Sequence, residues 1–176
     1  MDSIHIKRKN TGVDKSIQEI YGNRVRVRVC GICAEDDKIL LVNHAGLAKG
    51  DFWAPPGGGL EVGSSAQDNL VREFKEETGL DVDVGRYLFT TEYIQPPLHA
   101  VELFFAVTRK GGLQGVGSDP EMESQLIRDV RFVSFKEVDA LAPDAKHGAF
   151  QLCGESGRIT ALNGYLSISP LSLKST

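Results

Sequence analysis

The chain is short of cysteine and carries little excess charge of either sign. Its three cysteines, Cys30, Cys33 and Cys153, are an odd number, and its start has no secretory apolar segment. A disulfide scaffold is therefore not expected, and a reducing, cytoplasmic location is predicted. With 20 Lys and Arg against 24 Asp and Glu, the net charge is −4, which disfavours broad nucleic-acid binding. A membrane partner is not expected either.

The length and composition of the chain suit one globular domain of ordinary size. The 176 residues are 41% hydrophobic and 25% charged, enough apolar material to bury a core without disulfides. We predict a single domain over residues 23–176. Residues 1–22 show no clear period and are treated as an N-terminal extension of uncertain role.

The Cys30-x-x-Cys33 spacing occurs in zinc and redox sites when a second ligand pair or a helix N-terminus follows. Neither follows here. The pair ends an alternating run that is typical of a strand, and residues three apart on a strand point to opposite faces. A structural role is therefore predicted for both cysteines.

Two patterns organise the first part of the domain. The alternation of Arg and Val from Arg24 predicts a strand with one wet face, followed by a turn at 35–38 and a second strand at 39–42, together a hairpin. Residues 55–59, Pro-Pro-Gly-Gly-Gly, cannot extend a helix or a strand and are expected to form a loop of defined shape.

A helix is predicted from 65 to 78, with Ser64 and Ser65 as N-cap candidates, Gln67 completing a capping box with Ser64, and Gly79 as the stop. The remaining predicted elements are strands at 86–94, 100–109 and 128–135, a mobile Gly-rich loop at 111–117 and a short helix at 136–141. Mixed strands around one or two helices predict an α+β or three-layer domain.

Three carboxylates share one face of the predicted helix. Glu73, Glu76 and Glu77 stand at i, i+3 and i+4, so they lie within about one turn of each other. Like charges this close repel, and a divalent cation would turn the repulsion into attraction. Clustered oxygen ligands suit Mg²⁺, with Mn²⁺ as a possible substitute, because these ions also bind substrate phosphates.

The glycines before the helix complete the candidate site. Gly57, Gly58 and Gly59 lack a Cβ, so their main chain can approach a phosphate or a metal closely. A glycine carbonyl can itself be a metal ligand. The loop and the helix are therefore predicted to form one site.

The order and spacing of these residues resemble the Nudix box. That family pattern is a Gly, five residues, a Glu, seven residues, then Arg-Glu-aliphatic-x-Glu-Glu-x-Gly-aliphatic. The matching positions here run in the order Gly58, Ser64, Arg72, Glu73, Phe74, Glu76, Glu77, Gly79 and Leu80. Two positions depart from the pattern. Phe74 replaces an aliphatic residue, and Ser64 replaces the first glutamate, so Arg72 is expected to lose a partner and activity to be weakened.

The resemblance implies an α/β/α sandwich with a mixed sheet and an enzyme that hydrolyses nucleoside diphosphates linked to another moiety. It implies that Glu73, Glu76 and Glu77 bind Mg²⁺, joined by the Gly57 carbonyl, and that Arg72 orients Glu73. Gly58 and Gly59 are expected to contact the substrate. These residues form the predicted catalytic and metal-binding set.

The general base is left open by the resemblance. Family members take it either from the box or from a later loop, so Glu73, Glu121 and Glu123 are all candidates, with a box glutamate favoured. Glu123 is also a candidate metal ligand. The alternative for Glu121 and Glu123 is a solvated acidic loop before a strand.

Substrate identity depends on residues outside the box. Pro96 lies sixteen residues past Leu80, a distance that resembles the ADP-ribose-cleaving branch of the family, although a proline in a loop is more often turn chemistry. His44 follows an apolar strand and is a candidate contact for a phosphate or base, with a surface histidine as the alternative. The resulting expectation is ADP-ribose or a nucleotide sugar.

Other readings of the same pattern stay open. Some proteins keep this architecture while losing hydrolysis, and Ser64 is compatible with such a nucleotide-binding module. An isomerase acting on a diphosphate would need further catalytic residues that the pattern does not indicate. A homodimer is a fair expectation, because dimers are frequent in the family that the box resembles.

Overall fold

A computed structural model describes residues 22–45, 50–116 and 127–170 of the chain. The described elements, in chain order, are β1 (Arg24–Ile32), β2 (Ala34–Glu35), β3 (Lys38–His44), β4 (Phe52–Ala54), β5 (Gly57–Gly59), α1 (Ala66–Thr78), β6 (Leu80–Gln95), β7 (Leu98–Gly112), β8 (Ile127–Ser134), α2 (Phe135–Ala140), α3 (Ala149–Leu152) and β9 (Gly164–Ile168). Short 3₁₀ turns occupy Pro143–Ala145 and Ser156–Ala161. None of the helices in these ranges has both the length and the apolarity needed to cross a membrane.

The strands form two sheets, one of them mixed. The first has the order β5-β1-β7-β6-β9, with β1 parallel to β7, β6 parallel to β9 and the other pairs antiparallel. The second joins β2, β3 and β4 in that order, and β8 pairs with β3. The predicted α+β class with a mixed sheet is confirmed.

Two apolar cores lie on opposite faces of the first sheet. Val29 belongs to the core beneath α1, with Leu70 and Phe74, whereas its neighbour Cys30 belongs to the other, with Phe104. Successive residues of a strand point to opposite faces, which separates the two sets. Burying a Phe side chain such as Phe74, which is 0% exposed, contributes roughly 2–3 kcal/mol.

The cysteines follow the same alternation. Cys33 lies in the Val29 core and Cys30 in the Phe104 core, so they point to opposite faces as predicted. Both are buried free thiols, as is Cys153. Burial raises the pKa of the Cys33 thiol to about 11, so it is a neutral packing residue at ordinary pH.

Helix α1 begins and ends close to the predicted residues. Ser65 is its N-cap and accepts a hydrogen bond from the Asp68 N–H at 3.1 Å, while Gly79, in the left-handed region with φ 71°, closes the other end. The predicted capping box of Ser64 and Gln67 is wrong by one residue, because the Ser64 hydroxyl donates to the Ser65 carbonyl instead. The buried face of the helix comprises Asn69, Leu70, Glu73, Phe74, Glu77 and Thr78.

Residues 55–59 are not only a loop. Gly57–Gly59 form β5, an extra strand that pairs antiparallel with β1 through Cys30 and Gly57. At Gly57 the backbone has φ 150°, and an added Cβ would lie 2.1 Å from the Val29 carbonyl oxygen. Glycine is therefore required for this approach, and the same residues that predicted a loop allow a strand.

The first strand differs from its prediction in two ways. β1 pairs with β5 and β7, and the hairpin to β3 is made only by the short β2, across a turn at Asp36 with φ 51°. Both valines at its start are exposed, Val25 at 57% and Val27 at 40%, whereas the Arg28 side chain is 24% exposed. Arg28 faces inward because it has a buried acidic partner.

Two of the later strands are longer than predicted, and the last predicted strand and helix lie where expected. The strands expected at 86–94 and 100–109 run over Leu80–Gln95 and Leu98–Gly112, so Gly111 belongs to a strand and not to the Gly-rich loop. The strand at Ile127–Ser134 and the helix at Phe135–Ala140 confirm the predictions at 128–135 and 136–141.

Candidate active site

The acidic face of α1 is the first part of the site. The helix periodicity places Glu73 and Glu77 on the buried side, where they are 7% and 4% exposed, while the Glu76 side chain is 29% exposed. A carboxylate with so little access to water needs hydrogen-bond donors or cations close by. Each of these glutamates has them.

Arg72 joins the carboxylates into one cluster. Its guanidinium lies 2.7 Å from Glu73 Oε1 and 2.6 Å from Glu76 Oε2, and it also reaches Glu61 Oε1 at 3.0 Å. Burial alone would lower the pKa of Arg72, but these carboxylates outweigh burial and raise it. The expectation that Arg72 loses a partner through Ser64 is wrong, since Glu61 supplies a third carboxylate.

A buried asparagine ties the glycine segment to the helix. Asn69, which is 0% exposed, donates from its side-chain amide to the Gly59 carbonyl at 2.9 Å and accepts the Glu61 N–H at 3.1 Å. Its oxygen also accepts a long hydrogen bond of 3.4 Å from Arg72. The segment that leaves β5 is thereby held against the first two turns of α1.

The glycines of β5 meet the carboxylates directly. The Gly57 N–H donates to Glu77 Oε2 at 2.9 Å. At Gly58, an added Cβ would lie 2.3 Å from the carboxyl carbon of Glu73, so the Glu73 carboxylate occupies the space that any other residue would fill. By contrast, an added Cβ at Gly59 would have no neighbour within 4 Å.

A second set of charges approaches Gly57 from the strands. Arg28 donates to the Gly57 carbonyl at 2.8 Å and to Glu102 Oε1 at 3.0 Å, because β1 and β7 pair with Arg28 opposite Glu102. The other oxygen of Glu102 contacts His147 Nε2 at 2.8 Å and accepts a hydrogen bond from Thr91 at 3.2 Å. The main chain of Gly57 therefore connects Glu77, which accepts from its N–H, with Arg28, which donates to its carbonyl.

The electrostatics of this second set follow from burial and pairing. Burial would raise the pKa of Glu102, but His147, Arg28 and Thr91 lower it to about 2. Burial lowers the pKa of His44 to about 4, and the neighbouring charges of Arg28 and His147 act in the same direction. Glu102 is thus ionised and His44 neutral at physiological pH.

Sequence reasoning missed five residues of the site. They are Arg28, Glu61, Asn69, Glu102 and His147. One usable signal was Glu102 itself, since a carboxylate inside the apolar run 101–107 has to be paired if that strand is buried. No local pattern points from it to His147, which lies 45 residues away.

Of the predicted substrate contacts, Gly58 lies against the Glu73 carboxylate, whereas the Gly59 carbonyl accepts a hydrogen bond from Asn69. His44 lies within the electrostatic range of Arg28. Pro96 lies in the turn between β6 and β7. Leu98, the first residue of β7, is four residues from Glu102, roughly 13 Å along the strand. Glu121 and Glu123 lie outside the described residues.

The donor set fits a hard divalent cation. Three carboxylates and the Gly57 carbonyl offer only oxygen atoms, the ligands that Mg²⁺ prefers. Within the described ranges no three acidic, His or Cys side chains are arranged as a closed metal cage, and the glutamates instead contact Arg72 and the Gly57 N–H. Mg²⁺ commonly takes one or two carboxylates and fills its other positions with water and phosphate, so a closed protein cage is not required.

Comparison with known proteins identifies the family to which this domain belongs. A model of the NUDIX domain family matches residues 22–152, which include α1, the glycine segment and the Arg28 network. The chain belongs to the NUDIX domain family. The match also includes His147, so every charged group of the site described above lies within the NUDIX domain.

Two relatives show how far this similarity extends. The chain is 35% identical over 95 residues to an ADP-ribose pyrophosphatase of Methanocaldococcus jannaschii, covering 53% of this chain and 56% of the relative. It is 33% identical over 129 residues to a MutT-like protein of Streptomyces ambofaciens, covering 70% of this chain and 78% of the relative. The chain spans about half the length of the first curated relatives that it matches.

A solved structure shares the fold. A NUDIX hydrolase from Nitrosomonas europaea superposes with a TM-score of 0.64 at 20% identity, covering 87% of this chain and 97% of that one. The predicted Nudix-type architecture is confirmed by this likeness and by the family match.

Proposed function

We propose that the protein is a Mg²⁺-dependent hydrolase that cleaves the pyrophosphate bond of a nucleoside diphosphate linked to another moiety. The observation that carries the proposal is the pair of buried carboxylates, Glu73 and Glu77, packed against the glycines of β5. Membership of the NUDIX domain family supports it. Arg72 and the Gly57 N–H offset part of the negative charge of these acids, and the oxygen-only donor set beside them suits a hard divalent cation.

Glu73, Glu76, Glu77 and the Gly57 carbonyl would hold the metal, and Glu123 is a further candidate. Bound Mg²⁺, or Mn²⁺ in its place, supplies polarisation of the phosphoryl oxygens and a lowered pKa of coordinated water. Arg72 orients Glu73 and Glu76 through its two hydrogen bonds to them. Arg28 sets the direction of the Gly57 carbonyl from the opposite side.

The general base that takes the proton of the attacking water is proposed to be a box glutamate, Glu73 first. Its carboxylate lies against Gly58, where a substrate phosphate can approach the main chain closely. Glu121 and Glu123 remain the other candidates for this role. Gly58 and Gly59 are proposed to contact the substrate beside it.

For the substrate we propose ADP-ribose or a nucleotide sugar. The name of the M. jannaschii relative and the position of Pro96 support this choice. Because the pKa of His44 is lowered to about 4, we expect it to contact a phosphate or base as a neutral hydrogen-bonding group. A cytoplasmic location and a homodimer stay predictions.

The test is a panel of ADP-ribose, nucleotide sugars, dinucleoside polyphosphates and nucleoside triphosphates, incubated with Mg²⁺, Mn²⁺ or EDTA, with phosphate release followed after phosphatase coupling. Glu77→Gln removes one proposed metal ligand. The control is Asp81→Asn on β6, which removes a surface carboxylate that pairs with Lys75 of α1. We expect metal-dependent turnover that falls on the order of 10²–10³-fold in Glu77→Gln and is unchanged in Asp81→Asn.

The alternative is a nucleotide-binding module without hydrolysis, which the serine at position 64 favours. In that case no member of the panel would be turned over, while nucleotides would still bind in calorimetry. Turnover that is insensitive to EDTA or to Glu77→Gln would contradict the proposed mechanism.

A further inference from the structure

We propose that Glu61 performs, for Arg72, the part that the missing glutamate at position 64 would otherwise play, and that it holds Arg72 in place when a divalent cation engages Glu73 and Glu76. Glu61 is a positioning residue in this proposal, because it acts through Arg72 and does not touch the metal or the substrate. The inference rests on the proposed function of the neighbouring carboxylates.

The geometry places Glu61 at the guanidinium. Its Oε1 lies 3.0 Å from Arg72 Nη2, the same nitrogen that contacts Glu73 Oε1 at 2.7 Å. Ser64 carries no negative charge, and its hydroxyl donates to the Ser65 carbonyl, so it offers the guanidinium no carboxylate. The Ser64 N–H donates to the Glu61 carbonyl at 3.2 Å, so the two positions are the ends of one tight turn beside α1.

The backbone of Glu61 is fixed although its side chain is exposed. Its N–H donates to Asn69 Oδ1 at 3.1 Å, and Asn69 is fully buried within α1. The same amide also holds the Gly59 carbonyl at 2.9 Å. A side chain that starts from an anchored backbone loses less entropy on pairing than one on a free loop, so its contact with Arg72 is favoured.

The charge balance explains why a third carboxylate matters. Without metal, the single positive charge of Arg72 is shared by Glu73 and Glu76. A cation bound by those two carboxylates would stand close to the guanidinium and repel it. Glu61 is not a proposed metal ligand, so its negative charge stays on Arg72 and offsets that repulsion.

The experiment measures Mn²⁺ binding to the full chain without substrate, by calorimetry and by the electron paramagnetic resonance signal of free Mn²⁺. The variant is Glu61→Gln. The matched control is Asp81→Asn, which also removes one exposed carboxylate from an ion pair with an α1 side chain, Lys75, at 2.8 Å. The melting temperature in EDTA is measured for each protein.

We expect Glu61→Gln to raise the Kd for Mn²⁺ by about 10–100-fold, the usual effect of removing a group that orients metal ligands. The control should change the Kd by less than about twofold. Both melting temperatures in EDTA should stay close to that of the wild type, because an exposed ion pair contributes little to folding stability. On any substrate found in the panel, kcat at subsaturating Mg²⁺ should fall in parallel.

A second variant tests the equivalence of the two positions. Adding Ser64→Glu to Glu61→Gln should restore most of the Mn²⁺ affinity, because positions 61 and 64 are the two ends of one turn and the variant returns a carboxylate to it. Wild-type affinity in Glu61→Gln, an equal loss in Asp81→Asn, or no recovery in the double variant would each overturn the proposal. A wild-type protein that binds Mn²⁺ and hydrolyses nothing would instead sink the proposed function and leave this measurement valid.

Discussion

The helical and strand sides of the site carry charge in contrasting ways. On α1, the charged groups are close in sequence, Arg72 pairs with its neighbours Glu73 and Glu76, and the Glu76 side chain keeps 29% of its exposure. On the strands, Arg28 and Glu102 are 74 residues apart, and the Glu102 side chain is 5% exposed. The first set is partly exposed at Arg72 and Glu76, whereas the second centres on the buried Glu102.

This difference predicts different responses to mutation. Removing a charge from a wet cluster leaves the other groups solvated, so function changes more than stability. Removing one from a buried network leaves its partners desolvated and unpaired, so the fold itself suffers. Gly57 connects the two sides, since its N–H donates to Glu77 and its carbonyl accepts from Arg28.

The largest effect is expected where both sides meet. Gly57→Ala would place a Cβ 2.1 Å from a backbone oxygen at φ 150°, so we expect a loss above about 4 kcal/mol in the free energy of unfolding. Urea unfolding measures it. Gly59→Ala, where the added Cβ has no neighbour within 4 Å, is the control and should change stability by under about 1 kcal/mol. Equal stability of the two variants would contradict the described β5 geometry.

The buried network alone is broken by Glu102→Gln. The change leaves Arg28 and His147 without their anionic partner, and we expect a loss of about 3 kcal/mol in urea unfolding. The control is Glu92→Gln on β6, whose partners are His99, 2.9 Å away, and Tyr165, and whose change should cost far less because the carboxylate is partly exposed to solvent. If both losses are alike, the two pairs do not differ in burial as the structure has it.

The helical side alone is perturbed by Gly58→Ala. The added Cβ meets the end of the Glu73 side chain, which can move aside, so the fold should survive while the carboxylate is displaced. We expect turnover of a panel substrate to fall about 10–100-fold, with a melting temperature near that of the wild type. Unchanged turnover would show that the position of Glu73 is not critical.

The smallest effect concerns His44 and depends on pH. Its folded pKa of about 4 is below its ordinary value of 6.5, so the unfolded chain binds more protons as pH falls. Stability is therefore full above about pH 6.5 and is lost toward pH 4, by on the order of 1 kcal/mol at pH 5.5. His44→Gln should flatten urea-unfolding stability across this window. A wild-type profile that is already flat there would contradict the burial of His44.

Glu102 makes a separate acid-side contribution. Its pKa of about 2 in the folded protein is below the ordinary 4.5, so its stabilisation is present above about pH 4.5 and lost as pH falls toward 2. Glu102→Gln should remove that part of the acid dependence and lower the pKa of His44 further, because Arg28 and His147 then face it without their anionic partner. Unfolding curves between pH 3 and 7 separate the two groups.

The helix and its glutamates were predictable because their causes are local. Apolar spacing, a serine cap and a terminal glycine lie within one segment, and a helix then sets which carboxylates share a face. The β5 strand was not predictable, since Pro and Gly residues favour loops and only pairing with β1 makes them extended. Glu61 was missed because the family pattern places the glutamate that would pair with Arg72 at position 64.

By itself, the sequence determined the α1 helix, the oxygen-donor chemistry of Glu73, Glu76 and Glu77, and the requirement for glycine before them, because those properties depend on residues within about one helical segment. The tertiary structure decided which charged groups approach Gly57 from the strands. Arg28, Glu102 and His147 meet only through the register of β1 with β7 and the return of the chain at His147, whose N–H donates to the Trp53 carbonyl at 2.9 Å. Register depends on long-range pairing and burial, which no local pattern encodes.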